Sequence, residues 1–421
     1  MRSIIKKIKS NLEKFLILGD QAIVSGANFA TGIILARTLG LDQYGLFAFI
    51  WLSVLFFSSL HQALIIMPLY TLFPKSDNKQ SYLANLMAIQ IIFSIFTFIG
   101  IFLIISISSS IYFDWNISQF KWTLSAVAAG FVFNDYLRRL FFTLHMPKTS
   151  LGMDVIGYGL QPILLLFLAY QNALSINSAL VSIFILQMTS SLLGLLLSYR
   201  SKISIKEIKG TFTDNLNFSK YLIGTSLLQW LSGNLFLAVG ASLLGTAALG
   251  AIRIAQNIVG VLNVLFLAME NIVPVRAAEV MKSEGTKSMI NYIGKISKQS
   301  VIPVLLILGM LIGFRSQIIT LFYGSQFQSI DSILIGFGGL YVLVFLGTLL
   351  RFAIRTLENN KVIFLSYVLT TLFSLVMAQP LVVNYHLNGI LIGLFSVQII
   401  NIIIYLFSLK TELKWLYKSY I

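Results

Sequence analysis

Residues 134–148 read NDYLRRLFFTLHMPK and place Asp135, Arg138 and Arg139 inside a run that is otherwise apolar enough for membrane helix. A charge at the bilayer centre costs roughly 2.5–3.5 kcal/mol on the mildest scale, so three ionisable groups this close together need partners or a task. Arginine suits anions, because its planar fork matches phosphate and carboxylate oxygens. Asp135 can pair with either arginine at the i,i+3 or i,i+4 spacing, or it can carry a proton. Other ionisable groups sit in apolar runs: Asp20 and Arg37, His61, Arg253 with Gln256 one turn on, and Glu270 beside Asn271. Pro68 and Pro274 each remove a backbone N–H from such a run and are expected to bend it. A carboxylate near a bend, as Glu270 is near Pro274, suits a proton-coupled hinge or an interhelical hydrogen bond.

The same inventory closes off other chemistry. With no cysteine there is no disulfide and no thiolate metal site. The three histidines, His61, His145 and His386, are too scattered for a metal motif. No P-loop or GxGxxG pattern occurs, and the glycines of the first run read as helix-packing and turn positions. Neither a metal nor a cofactor is expected.

The elements that hold these residues follow from composition. The chain has 421 residues, 57% of them hydrophobic and 11% charged, against about 25% charged in soluble domains. Runs long enough to cross a bilayer occur near 15–38, 44–68, 82–108, 120–143, 151–172 and 176–198. Six more occur near 218–244, 247–275, 299–322, 331–354, 361–384 and 388–409. The expected fold is an all-α polytopic membrane protein of twelve transmembrane helices. No signal peptide is expected, since the first apolar run is long, contains Asp20 and lacks a small-residue cleavage site.

Charge asymmetry orients the chain. With the N-terminus in the cytoplasm, all of the 30 basic residues fall at cytoplasmic segments except Arg37, Lys121, Arg253 and Arg315. Both termini are therefore expected inside. The formal net charge of +15 reads as topology, and no nucleic acid is expected as a partner.

The chain also repeats. Gly19, Ala36, Leu39, Gly40 and Gly45 meet Gly224, Ala241, Leu244, Gly245 and Gly250 at one constant offset. Leu137-Arg138, Thr143-Leu144 and Lys148 meet Leu350-Arg351, Thr356-Leu357 and Lys361 at another. The repeat unit is six helices, and an even number makes the halves parallel. Expected divisions are a six-helix bundle over 1–198, a basic cytoplasmic linker over 199–217 and a second bundle over 218–421, with a cavity between bundles that can rock.

Twelve spans in two parallel halves, a first hairpin reading NFATGIILARTLGLDQYGLFAF and the segment YLRRLFFTLHMPKTSLGMDVIGYGLQ resemble the bacterial polysaccharide flippases. These belong to the exporter superfamily that includes the multidrug MATE antiporters and the lipid II flippases. The resemblance covers the chain in architecture. It implies a transporter rather than an enzyme, flipping undecaprenyl-pyrophosphate-linked oligosaccharide from the cytoplasmic to the periplasmic leaflet of the inner membrane. It further implies alternating access, coupling to the proton gradient, and a role in O-antigen or capsule synthesis. Partners would be membrane lipids, a polysaccharide polymerase and chain-length proteins around a monomer. Two other readings are a cation-coupled multidrug exporter of the same superfamily and a membrane polysaccharide polymerase or glycosyltransferase. The first would favour acidic and aromatic cavity residues, the second a water-exposed acid dyad in a long loop.

On this reading Arg253 and Gln256 contact the anion. Arg138 and Arg351 form a two-sided anion entrance at the cytoplasmic face, or snorkel to headgroups; Arg139 and Arg37 are weaker candidates. Glu270, Asp135, Asp20 and His61 are the ion-coupling candidates, with ion pairing or scaffold hydrogen bonding as their alternatives. Pro274 and Pro68 are the candidate hinges.

Overall fold

A computed structural model describes residues 2–111, 115–197 and 205–419. Arg200 and Lys202 lie outside the described residues, as do the side chains of Arg2 to Lys14, Lys206, Asn271, Lys414 and Lys418. Among the described residues there is no β-strand, and the helices of span length number twelve: α1 (2–39), α2 (41–71), α3 (Lys79–Ile111), α4 (Lys121–Thr143), α5 (Pro147–Tyr170), α6 (Ile176–Leu197), α7 (Ile205–Leu244), α8 (246–284), α9 (Thr286–Gly313), α10 (Asp331–Thr356), α11 (360–385) and α12 (387–419). A short helix, Arg315–Phe322, joins α9 to α10.

Eight continuous stretches are long and apolar enough to cross a membrane, and two of these are broken in the middle, at Gly40 and at His386. The α8 pair passes together. Helix α4 alone falls short on apolarity, because it carries the charges of the opening stretch. The chain is a multi-pass membrane protein.

The breaks at glycine have a local cause. Gly40 stands at φ 78°, ψ 174° and Gly245 at φ 88°, ψ 169°, a region that residues with a Cβ avoid. They are one of the three glycine pairs matched in the repeat, so the echo is written in the backbone. The end of α4 repeats at the end of α10 in the same way. Met146 N–H donates to Phe141 O (2.8 Å) and His145 N–H to Phe142 O (3.1 Å); Asn359 N–H donates to Ile354 O (3.2 Å) and Glu358 N–H to Arg355 O (3.0 Å). His145 and Glu358 both have φ 56°. This is the Schellman stop, built twice.

The chain packs as two compact units, residues 1–40 with 47–227, and residues 41–46 with 228–421. The expected linker is largely helical: its residues 205–217 are the first turns of α7, and 199–204 lie outside the described residues.

In the first unit Ile65, Ile66, Leu69, Leu86, Tyr136 and Phe141 form the centre of an apolar core between α2, α3 and α4. Polar groups join the helices where apolar contact cannot discriminate protein from lipid. Asn134 donates to Ser190 Oγ (2.8 Å) and to Gln187 O (3.2 Å), tying α4 to α6. Gln161 donates to Thr31 (3.0 Å), tying α5 to α1. Outward positions are the reverse: Ile92, Phe96 and Ile99 on α3 and Leu306 and Met310 on α9 are more than half exposed or nearly so, as a lipid-facing surface requires.

In the second unit the start of α2 lies against the start of α8. A Cβ on Gly45 would overlap the Thr246 carbonyl, and a Cβ on Gly250 would overlap the Leu41 carbonyl. Glycine is needed at both positions for this backbone approach.

Candidate functional site: a buried ion cluster and two isolated arginines

The first unit gathers charge from α1, α2, α4 and α5. Arg138 donates through Nε to Asp154 Oδ2 at 2.5 Å and through Nη2 to Asp20 Oδ2 at 2.7 Å. Its Nη1 lies 3.9 Å from Asp135 Oδ1. The guanidinium is 7% exposed at the residue level, and Asp20 and Asp154 are completely buried. The rings of Phe142 and Tyr158 lie about it, 5.9 and 6.0 Å from Cζ.

Asp135 is the second hub. Arg139 Nε donates to both of its oxygens, at 2.9 and 2.8 Å, and the i,i+4 spacing is what brings them together. Gln62 donates to Asp135 Oδ2 at 2.8 Å, and His61 Nδ1 lies 3.6 Å from the same oxygen. The other ring nitrogen of His61 is 2.8 Å from Gln90 Oε1. Arg139 reaches outward to the Tyr70 hydroxyl at 3.3 Å.

Two turns of π-helix place these groups. One runs over Gln62–Ile66, immediately after His61; the other over Val155–Gly159, immediately after Asp154. A π-turn inserts one residue into the helical repeat and re-aims the side chains on one side of it. His61 and Asp154, each completely buried, thereby point inward. Pro68 follows the first π-turn directly, at the start of Met67–Thr71.

The cluster holds three carboxylates, two guanidinium groups and one imidazole. With His61 neutral and every carboxylate ionised, it carries one excess negative charge. Asp20 Oδ1, Asp154 Oδ1 and His61 Nδ1 are buried without a hydrogen bond. One added proton makes the cluster electrically neutral.

Arg138, expected at an anion entrance, is clamped here by carboxylates from two other helices of the first unit. Asp154 is the partner that sequence reasoning missed. The signal was available: it is the only carboxylate between Asp135 and Glu207, and a carboxylate in an apolar run demands a cation.

The second unit treats its cations differently. Arg253 on α8 donates to Gln256 Oε1 at 2.9 Å and forms no ion pair among the described residues. Arg351 on α10 donates to the Tyr367 hydroxyl at 3.4 Å and also lacks an ion pair among them; its Nε is buried and makes no hydrogen bond. It borders a cavity of about 210 Å3 together with Gln229, Thr348, Tyr367, Gln398 and Asn401.

Two further expectations change here. Glu270 pairs with Arg355 at 2.8 Å, and both side chains are more than 40% exposed, so it is no isolated carboxylate at a bend. Pro274 lies inside the helix Leu262–Glu284, and α8 is interrupted instead at Gly260 and Val261. Prolines are tolerated within membrane helices where neighbouring groups satisfy the freed carbonyl. Arg37 is exposed at the end of α1 and does not join the cluster. The structure thus brings Asp20, His61, Asp135, Arg138 and Arg139 together, and leaves Arg37, Arg253, Arg351 and Glu270 apart from them.

No curated protein matches the chain in sequence. Among solved structures, the fold is similar to an inward-facing multidrug resistance MATE family transporter of the MOP superfamily, with a TM-score of 0.77 at 16% identity over 94% of this chain and 96% of that one. It is also similar to the lipid II flippase MurJ in an inward closed conformation, with a TM-score of 0.68 at 14% identity over 97% and 87%. A MOP superfamily transporter from Pyrococcus furiosus, described as having a binding pocket of reverse polarity, gives 0.58 at 15% identity over 96% and 93%. At such identities the likeness is one of fold. Residues 34–332 match a family described as polysaccharide biosynthesis protein, and because that match spans well over half of the sequence, the chain belongs to the polysaccharide biosynthesis protein family.

Proposed function

We propose that this protein flips undecaprenyl-pyrophosphate-linked oligosaccharide units from the cytoplasmic to the periplasmic leaflet of the bacterial inner membrane. The product serves surface polysaccharide synthesis, of O-antigen or capsule, where a polymerase and chain-length proteins take it up. The protein works as a monomer with both termini in the cytoplasm, by alternating access. The observation that carries this reading is Arg253, a guanidinium inside an apolar span whose partner is an amide, Gln256. A cation held in an apolar span without a carboxylate is costly, and an anionic substrate group offsets that cost when it binds. A pyrophosphate is such a group, and the arginine fork fits it. Family membership supports the pathway, and the fold shared with a lipid II flippase supports the class of substrate.

Coupling to the proton gradient rests on the ion cluster of the first unit. Its unequal charges make one proton the difference between a neutral cluster and an anionic one. An anionic cluster in an apolar surround is less stable, so gaining or losing that proton changes how tightly α1, α2, α4 and α5 hold together. Proton movement down its gradient can then drive the conformational cycle.

The test uses a flippase-null strain and the purified protein in proteoliposomes. Arg253→Ala is expected to abolish surface polysaccharide while protein abundance in the membrane stays normal. Wild-type polymer from that variant removes the anion contact. In proteoliposomes, Asp135→Asn is expected to lose the response of flipping to an imposed pH gradient; a full response in the variant removes the coupling role of the cluster.

A further inference from the structure

The repeat sets the two units side by side for comparison, and the comparison isolates one difference. Arg138 and Arg351 are equivalent positions, each at the same place before an identical Schellman stop. In the first unit the residue sixteen positions after the arginine is Asp154, which binds it at 2.5 Å. In the second unit the residue at the same spacing is Tyr367, which binds Arg351 at 3.4 Å. Asp135, one turn before Arg138, is matched by Thr348, one turn before Arg351. Asp20, next to Gly19, is matched by Thr225, next to Gly224, and the Thr225 hydroxyl is turned onto its own helix at Tyr221 O (2.8 Å). Each carboxylate that neutralises Arg138 has a hydroxyl residue at its counterpart in the second unit, and the carboxylate that acts on Arg351 there, Glu270, is itself paired with Arg355.

The space left behind is not closed by packing. The cavity of about 210 Å3 beside Arg351 is lined by neutral hydrogen-bonding groups, and no carboxylate contributes to it. By liquid volume it holds roughly seven waters, more than one water or one halide needs. Donors converge on it. The Tyr367 oxygen accepts from Arg351, which leaves its phenol proton free to donate; the Tyr405 hydroxyl shares a hydrogen bond with Ser366, whose own proton goes to Ile363 O. The amides of Gln229, Gln398 and Asn401 add N–H groups, and Arg351 Nε is buried and unpaired. A guanidinium, phenols and amides around a space without carboxylates form a receptor for an oxyanion.

We propose that the cavity beside Arg351 binds a phosphate-class oxyanion, which supplies from outside the chain the negative charge that Asp20 and Asp154 supply to Arg138. The group is either free inorganic phosphate or the phosphoryl group of a lipid carrier. This site is separate from the Arg253 contact, and only its lipid-carrier form rests on the transport reading given above.

The test measures saturable binding of radiolabelled inorganic phosphate to the full chain in phosphatidylcholine nanodiscs. Wild-type protein is expected to bind, and Arg351→Gln to bind at least tenfold more weakly. Tyr367→Asp, which rebuilds the internal pair of the first unit, is expected to show the same loss. Gln398→Leu alters neither charge and is expected to weaken binding severalfold, so that a binding defect is seen in a variant whose thermal melt matches wild type. Competition by undecaprenyl phosphate in the nanodisc supports the site and assigns it to a carrier headgroup. Undiminished phosphate binding in its presence supports the site and assigns it to the free anion. No saturable phosphate binding by the wild type, or equal binding by wild type, Arg351→Gln and Tyr367→Asp, overturns the proposal.

Discussion

Arg138 shows how a single side chain can be both costly and indispensable. Burying the ions costs several kcal/mol each before any attraction is counted, and only good geometry with further hydrogen bonds offsets it. Two carboxylates held at 2.5 and 2.7 Å meet that condition, and they come from α1 and α5, so the guanidinium joins three helices at one point. Its removal leaves two buried carboxylates facing each other. Arg138→Ala is therefore expected to destabilise the protein by about 3–5 kcal/mol, the range for breaking a buried pair, seen as a large fall in melting temperature in detergent. Arg138→Lys is expected to recover only part of this, because a single ammonium cannot present the two edges of a fork. A melt unchanged by Arg138→Ala would mean that the clamp contributes nothing. At this scale the sequence was partly legible. Helical spacing offered Asp135 both Arg138 and Arg139 as partners and put Gln256 one turn from Arg253, and the structure pairs Asp135 closely with Arg139. The pairs Arg138–Asp154 and Arg138–Asp20 bridge separate helices, and no local spacing encodes which helices meet.

The helices themselves carry information that periodicity does not reveal. A π-turn leaves no mark in composition: QALII over Gln62–Ile66 reads as ordinary apolar helix, yet it sets where His61 and Gln62 point. Deleting Ala63 would restore the regular repeat by withdrawing the residue that the wide turn accommodates, and would re-aim the side chains of the turn itself. That change separates Gln62 from Asp135. The expected outcome is a protein that is monodisperse on size exclusion but inactive in flipping; full activity would show that the π-turn does not position the cluster. The interruption of α8 was hidden for a related reason. Gly260 is one glycine in an apolar run, whereas Pro274 is a conspicuous helix breaker, yet in a membrane helix the proline is accommodated and the break falls elsewhere. Gly40 and Gly245 were readable because they recur at a fixed offset beside the same Leu.

For the molecule as a whole, composition and the placement of basic residues were enough to give the helix class and the number of spans, because lipid permits so few alternatives. The packing division was less legible. Residues 41–46 belong in sequence to the first repeat and in packing to the second unit, and nothing in their composition announces it. This division has a measurable result. Fragments 1–200 and 205–421, co-expressed with a tag on one, are expected to co-purify because 41–46 completes the packing of the second unit. Gly45→Leu in the first fragment should abolish recovery of the untagged partner; undiminished recovery would show that the 41–46 contact does not hold the fragments together.

The glycine contact at that place has a further meaning. Gly45 meets the carbonyl of Thr246, and Gly250 meets the carbonyl of Leu41; in the repeat Gly45 corresponds to Gly250 and Leu41 to Thr246. Residue i touches j while the counterpart of i touches the counterpart of j, which is the isologous pattern found at the two-fold axis of a homodimer. A single six-helix half bearing Leu41 and Gly45 carries both sides of this contact already. It is self-complementary, so joining two copies into one chain required no new surface for this contact.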